Sequence, residues 1–202
     1  MKKITLALLL PVFLAVGVSA YANVEELKVT CNGCHGDNGV SSWSDMPTIA
    51  GIDAFVHSEA LYMYKDNARP CADSEFRQGD TSRAASNMCK VAGGIADEDI
   101  EAISAYYAAQ PFVAAKQAFD AELAAAGKAI HDRDCEVCHS AGGSDAEDEA
   151  SILAGQWIGY LRHSFAEYRA GEREQPPTMQ QKIDALSDAE VESLVQYYAS
   201  QQ

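Results

Sequence analysis

Two five-residue segments, Cys31-Asn32-Gly33-Cys34-His35 and Cys135-Glu136-Val137-Cys138-His139, constrain this chain more than any other feature. Each sets two thiols and an imidazole at the C-x-x-C-H spacing of covalent c-type haem attachment. Thioether bonds through Cys31 and Cys34, and through Cys135 and Cys138, would fix one porphyrin edge to the chain. The adjoining His35 and His139 are then held beneath the iron as proximal ligands. A tetrahedral zinc site could draw Cys and His from both motifs. The histidine that closes both copies, an export signal and the downstream methionines favour two haem c groups instead. A redox dithiol would need a thioredoxin-like βαβ pattern, and no segment here alternates like a strand.

The export signal lies at the start. Met1-Lys2-Lys3 is a positive n-region, Ile4 to Val18 is uncharged and apolar, and Ala20-Tyr21-Ala22 is an A-x-A cleavage site. Residues 1–22 therefore read as a cleavable signal peptide, which sends the chain to a bacterial periplasm and leaves no membrane span after cleavage. Six cysteines are present, and haem takes four. Cys71 and Cys89 remain, and an oxidising compartment favours a disulfide between them. In the chain-entropy model such a loop contributes roughly 3 kcal/mol. The alternative, a redox-active thiol pair, has little nearby positive charge beyond Arg69 and Lys90 to support it.

The two motifs are offset by 104 residues, from 31 to 135, and the chain repeats at that offset. Ile49-Ala50-Gly51 falls on Leu153-Ala154-Gly155, Tyr64-Lys65 on Tyr168-Arg169, and Arg69 on Arg173. Beyond an insertion of 13 residues in the first half the offset becomes 91: Met88 meets Met179, Tyr106-Tyr107 meets Tyr197-Tyr198, and Gln110 meets Gln201. The organisation expected is a first haem domain over 23–110, a linker over 111–118 and a second haem domain over 119–202. Domains this small bury a limited apolar core, so a central macrocycle supplies much of it. The pattern is all-α. Ser187 to Glu190 is a capping box ahead of Val191, Leu194, Val195 and Tyr198 on one helical face. Trp157, Leu161, Phe165 and Tyr168 mark another helix, matched by 52–64, and the acidic run Asp145 to Glu149 reads as a solvated loop.

Met88 and Met179 occupy equivalent repeat positions and are the candidate sixth ligands. A thioether opposite histidine raises the reduction potential and fills the site where a substrate would bind iron. Met46, beside Pro47, is the rival for the first haem, and Met63 reads as a core residue. His57, His131 and His163 have no paired repeat positions and read as packing or surface residues.

Together the two C-x-x-C-H motifs, the paired methionines and the terminal Tyr-Tyr helices resemble the dihaem class I cytochromes of the cytochrome c4 type, over the whole mature chain. The resemblance implies two tandem class I cytochrome c domains about a pseudo-twofold axis, each with a His/Met-ligated haem. Gly127 matches the glycine at which first and last helices cross in that fold, where the first half has Asn23. Pro47 matches the proline whose carbonyl holds His35, while Ser151 stands at the equivalent place, so His139 needs another acceptor. Within the group the chain is most similar to cytochrome subunits of flavocytochrome c sulfide dehydrogenases. Arg69-Pro70-Cys71, Met88-Cys89-Lys90-Val91-Ala92, Ala150 to Trp157, and Gly171-Glu172-Arg173 ahead of Pro176 carry that similarity. It implies a heterodimer in which an FAD-containing subunit oxidises sulfide. This chain, not catalytic alone, would pass the electrons to a soluble c-type cytochrome or another periplasmic acceptor.

Charge bears on partners. With 15 basic and 30 acidic side chains the net charge is −15. Removing the leader with Lys2 and Lys3 makes it −17, which excludes nucleic acid and disfavours anionic lipid. An acidic surface also suits a free dihaem shuttle that serves a terminal oxidase through a basic partner. A third possibility is a haem enzyme with one methionine absent from iron.

Overall fold

The computed structural model describes residues 19–202, with side chains from residue 23. All but the last four residues of the expected leader lie outside that range. Among the described residues the regular structure is helical: α1 (Ser19–His35), α2 (Ala54–Lys65), α3 (Met88–Gly93), α4 (Asp97–Ala108), α5 (Ala121–Asp134), the single turn α6 (Ser140–Gly143), α7 (Ile158–Ala170), α8 (Pro177–Ala185) and α9 (Asp188–Ser200). One isolated antiparallel bridge, Ser74 with Ser86, is the sole β pairing among them.

Local chemistry sets the helix ends. The Asp53, Asn87 and Asp120 side chains accept from N–H groups in the first turns of α2, α3 and α5. Ser187 and Glu190 form the reciprocal capping box of α9, whereas Ala96 gives α4 no side-chain cap. The apolar face of α9 buries Leu194, Val195 and Tyr198 against Ile130 of α5 and Leu161 of α7. In the first half Ile100, Ile103 and Tyr107 of α4 are buried in the same way.

The sequence repeat is visible atom by atom. Ile49 and Ala50 N–H groups both donate to the Gly39 carbonyl (2.8 and 3.2 Å), and Leu153 and Ala154 do the same to Gly143 (2.8 and 3.1 Å). Gly51 N–H donates to Tyr107 O at 2.9 Å, and Gly155 N–H to Tyr198 O at 2.8 Å. The Arg69 guanidinium stacks 4.3 Å from the Tyr64 ring, and Arg173 4.4 Å from Tyr168.

The halves differ where α5 and α9 cross. A Cβ at Gly127 would lie 2.0 Å from the Ser193 carbonyl oxygen, so only glycine permits this approach. At the equivalent place Asn23 Nδ2 instead donates to the Asp99 carboxylate at 3.1 Å, which ties α1 to α4 through side chains.

The non-helical segment between α4 and α5 does not hang free. Ala115 N–H donates to Gly155 O at 2.8 Å, and Gln117 Nε2 donates to Gln156 O at 2.7 Å, which lays this segment on the second half. A polar seam joins the halves. The Gln156 amide donates to Thr48 O (2.6 Å) and accepts from Thr48 N–H (3.2 Å), both residues being buried. Trp157 Nε1 donates to Ser41 O at 3.0 Å, and Tyr160 N–H to Ser44 O at 2.9 Å.

The insertion in the first half folds back as a loop closed by the Cys71–Cys89 disulfide, with Cα atoms 5.8 Å apart. It crosses the first motif: Arg77 and Gln78 N–H groups donate to Gly33 O at 2.7 and 3.2 Å, and Phe76 is buried against Gly33. Replacing both Cys71 and Cys89 by serine is expected to lower unfolding free energy by roughly 3 kcal/mol in urea denaturation under non-reducing conditions.

Two candidate haem sites

The first site is an apolar cavity between α1, α2, α3 and α4. Cys31, Cys34, His35 and Met88 all line it, with Ile52, Leu61 and Val91 among its walls. Helix α1 runs through the motif to His35, placing both thiols and the imidazole on its last turn. His35 Nδ1 donates to Pro47 O at 3.0 Å, which leaves Nε2 as the lone-pair nitrogen. Burial, against the pull of the Pro47 carbonyl, pushes the imidazole below its ordinary value, so the ring is neutral as a metal ligand must be. Met88 is the first residue of α3, held by the Asn87 cap on Lys90 N–H at 2.9 Å. Met46 lines the same cavity but stands next to Pro47, on the side where His35 is anchored. The donor set, two free thiols, a neutral imidazole and a thioether in an apolar cavity, fits a covalently bound haem.

His57 is a wall residue, not a donor to the cavity. Its Nε2 donates to Ile49 O at 2.7 Å, and burial, partly offset by that carbonyl, pushes its imidazole down to about 4. The unfolded chain takes up this proton near 6.5 and the folded chain only near 4. Stability from this residue is complete above the unfolded value and falls by roughly 3 kcal/mol as pH drops through that window. His57→Gln retains a donor to Ile49 and is expected to flatten the pH dependence of stability between those values, measured by chemical denaturation.

The second motif lies in a different local setting. Helix α5 stops at Asp134, because Cys135 N–H and Glu136 N–H both donate to His131 O (2.8 and 3.0 Å) and the motif continues as turns. His131 is fully buried, with Nε2 on the Glu136 carboxylate at 2.5 Å and Nδ1 on the Tyr198 hydroxyl at 3.0 Å. Hydrogen bonding from His131 holds the Glu136 carboxyl below its usual range. The His139 imidazole is pushed below its ordinary value by burial and by His131. Its Nδ1 is buried with no partner, so the acceptor expected in place of Pro47 O is absent among the described residues. An orphaned buried imidazole beside the free thiols of Cys135 and Cys138 fits a metal-bound macrocycle as well. Met179 is half-buried on α8, whose first turn is set by Pro176 and Pro177. The acidic run after this motif is not simply solvated: the Asp148 carboxylate accepts from Ser140 N–H at 2.6 Å, and Asp145 caps Glu147 N–H at 2.9 Å. His163 is a surface residue paired with Glu167 at 3.0 Å.

The repeat pairs Arg69 with Arg173, and the sequence alone assigns neither a role. Both are buried, and Arg69 shares the first cavity with Tyr160, which the second half contributes. Burial alone would raise the Tyr160 phenol; Arg173 and Arg69 outweigh it and hold it below its ordinary value. The signal available was the repeat itself, since Tyr64 and Arg69 recur together as Tyr168 and Arg173.

No protein-family model matches the chain. It is 28% identical over 184 residues to the thiosulfate dehydrogenase electron acceptor of Stutzerimonas stutzeri (strain A1501), covering 85% of this chain and 79% of that protein. It is 28% identical over 179 residues to cytochrome c4 of Thiocapsa roseopersicina, covering 83% and 84%. Over 81 residues it is 31% identical to cytochrome c-554(548) of Halomonas halodenitrificans (strain ATCC 12084 / NCIMB 8669), covering 40% of this chain and 84% of that protein. Among solved structures, reduced recombinant cytochrome c4 from Pseudomonas stutzeri superposes with a TM-score of 0.71 at 23% identity, over 91% of this chain and 99% of that one. Thiosulfate dehydrogenase (TsdBA) from Marichromatium purpuratum gives 0.67 at 25% identity, over 85% of this chain and 36% of that one.

Proposed function

We propose that this chain, which is similar over most of its length to dihaem cytochromes of the c4 type, is the periplasmic electron acceptor of a dehydrogenase acting on a reduced inorganic sulfur compound. As a dihaem electron-transfer protein it carries two covalently bound haem c groups, each of which supplies a reversible one-electron change of oxidation state. In this reading Cys31, Cys34, Cys135 and Cys138 hold the haems, and His35 with Met88 and His139 with Met179 ligate the irons. The haem-bearing units are 23–110 and 119–202, joined by 111–118.

The observation that carries the donor assignment is the similarity, across most of the chain, to a thiosulfate dehydrogenase electron acceptor. The disulfide-closed insert around Arg69-Pro70-Cys71 and Met88-Cys89 resembles the cytochrome subunit of a flavoprotein sulfide dehydrogenase, so both donor classes enter one assay. The purified dihaem chain is mixed with the FAD-bearing sulfide dehydrogenase subunit and sulfide, or with thiosulfate dehydrogenase and thiosulfate. Haem reduction by one pair at least a hundredfold faster than by substrate alone supports the reading. Reduction by neither, with rapid oxidation by terminal-oxidase membranes, would instead make the protein a free shuttle.

A further inference from the structure

The second of the two residues between the paired cysteines adjoins Cys34 in one motif and Cys138 in the other, so its exposure reports how open each attachment motif is to another protein. The two equivalent positions are Gly33 and Val137. Gly33 is buried: a Cβ there would lie 2.6 Å from Phe76 Cδ1, and the insert backbone at Arg77 and Gln78 is hydrogen-bonded across it. The cover is braced on both sides. Arg77 makes a bidentate pair with Asp45 (2.6 and 2.7 Å), Gln78 Nε2 donates to Asp37 at 2.8 Å, and Arg83 stacks 3.9 Å from the Phe76 ring. Val137 is 95% exposed, and Cys138 beside it is exposed.

The open face is also acidic. Gly142 N–H donates to Glu136 and Asp148 binds Ser140, so 136–149 forms one folded knot whose Asp145, Glu147 and Glu149 point outward to solvent. The Lys and Arg side chains of α5 and α8 are paired with carboxylates: Lys128 with Asp132, and Arg133 and Lys182 with Asp134. A small apolar centre within a rim of one charge sign suits a transient redox encounter, in which charge steers and a limited dry contact docks.

We propose that the face centred on Val137 is the docking surface for a soluble redox protein with a basic rim, and that the insert spanning Cys71 to Cys89 closes the equivalent face at Gly33. This rests on the electron-carrier reading above and adds to it which of the two faces meets the partner.

The test is binding of a monohaem cytochrome with a pI above about 9 to the dihaem holoprotein. Both proteins are fully ferric, so no electron moves, and heat of binding is titrated at low ionic strength. The parent affinity is expected to fall steeply with added salt. Val137→Lys is expected to weaken binding at least tenfold, while Val137→Glu stays within about threefold of the parent, separating charge from bulk. Thr81→Lys, on the exposed insert, is expected to change it less than twofold. Haem content and absorption spectrum of each variant check folding. Unchanged affinity in Val137→Lys, or a loss confined to Thr81→Lys, overturns the proposal. So does a Val137→Lys protein that binds the basic cytochrome normally but is no longer reduced by the dehydrogenase, since the face would then belong to the donor. A parent that binds the basic cytochrome yet accepts electrons from neither dehydrogenase sinks the sulfur reading and leaves the docking face standing.

Discussion

Replacing Met179 by alanine is expected to convert one of the two haems from low-spin to high-spin and to lower its potential by on the order of 0.2 V, leaving the other unchanged. The thioether is a weak donor that favours the ferrous state, and water in its place favours the ferric state. Met88→Ala is expected to do the same to the haem proposed for Cys31 and Cys34. Met46→Leu separates the rivals in the first cavity, since both methionines line it; it is expected to leave both haems low-spin. Electron paramagnetic resonance with a spectroelectrochemical titration reads both effects. A Met46→Leu protein with a high-spin haem, alongside an unaltered Met88→Ala protein, would reassign the sixth ligand.

Gly127→Val is expected to prevent stable folding of the second half. Even the first atom of a side chain would sit 2.0 Å from Ser193 O, against main chain that two packed helices hold in place. Overpacking usually costs about 1–3 kcal/mol where flexible side chains can yield. Here α5 and α9 must separate, uncovering Ile130, Leu194 and Val195, and the cost reaches a large share of the roughly 5–15 kcal/mol that holds a domain folded. Asn23→Ala at the equivalent crossing removes only the bond to Asp99 and is expected to cost about 1 kcal/mol. Denaturation followed by circular dichroism, with haem content per chain, measures the contrast. Equal stability losses in the two variants would show that the crossings are alike.

Features that rest on local pattern or duplication were legible in the sequence. The Ser187–Glu190 box starts α9 where the helical periodicity begins, and the same offsets that align the two motifs align the Gly39 and Gly143 turns. Cys71 and Cys89 pair as elimination suggested. Polar contacts between side chains were not legible. Asp145 to Glu149 reads as a solvated acidic run, yet Asp148 is spent on Ser140, a contact that composition does not encode. The seam between the halves uses Ser41, Thr48 and Gln156, polar residues without apolar periodicity, so nothing marked them as contacts. Two motifs of identical spacing gave no hint that α1 runs through one while α5 ends before the other. That difference follows from the His131–Glu136 pair, where the first half has Leu27 and Asn32. The unequal settings of His35 and His139 were only half foreseen: loss of the Pro47 contact was readable, and the lack of any replacement was not.

A two-haem carrier with both irons closed by His and Met is tested by a redox titration of the purified protein, with haem counted per polypeptide and spin state recorded at each potential. The expected result is two covalent haems, both low-spin throughout, a methionine-to-ferric-iron absorption band from each, and two one-electron reductions. One haem per chain, or a resting high-spin iron that binds carbon monoxide once reduced, would contradict it.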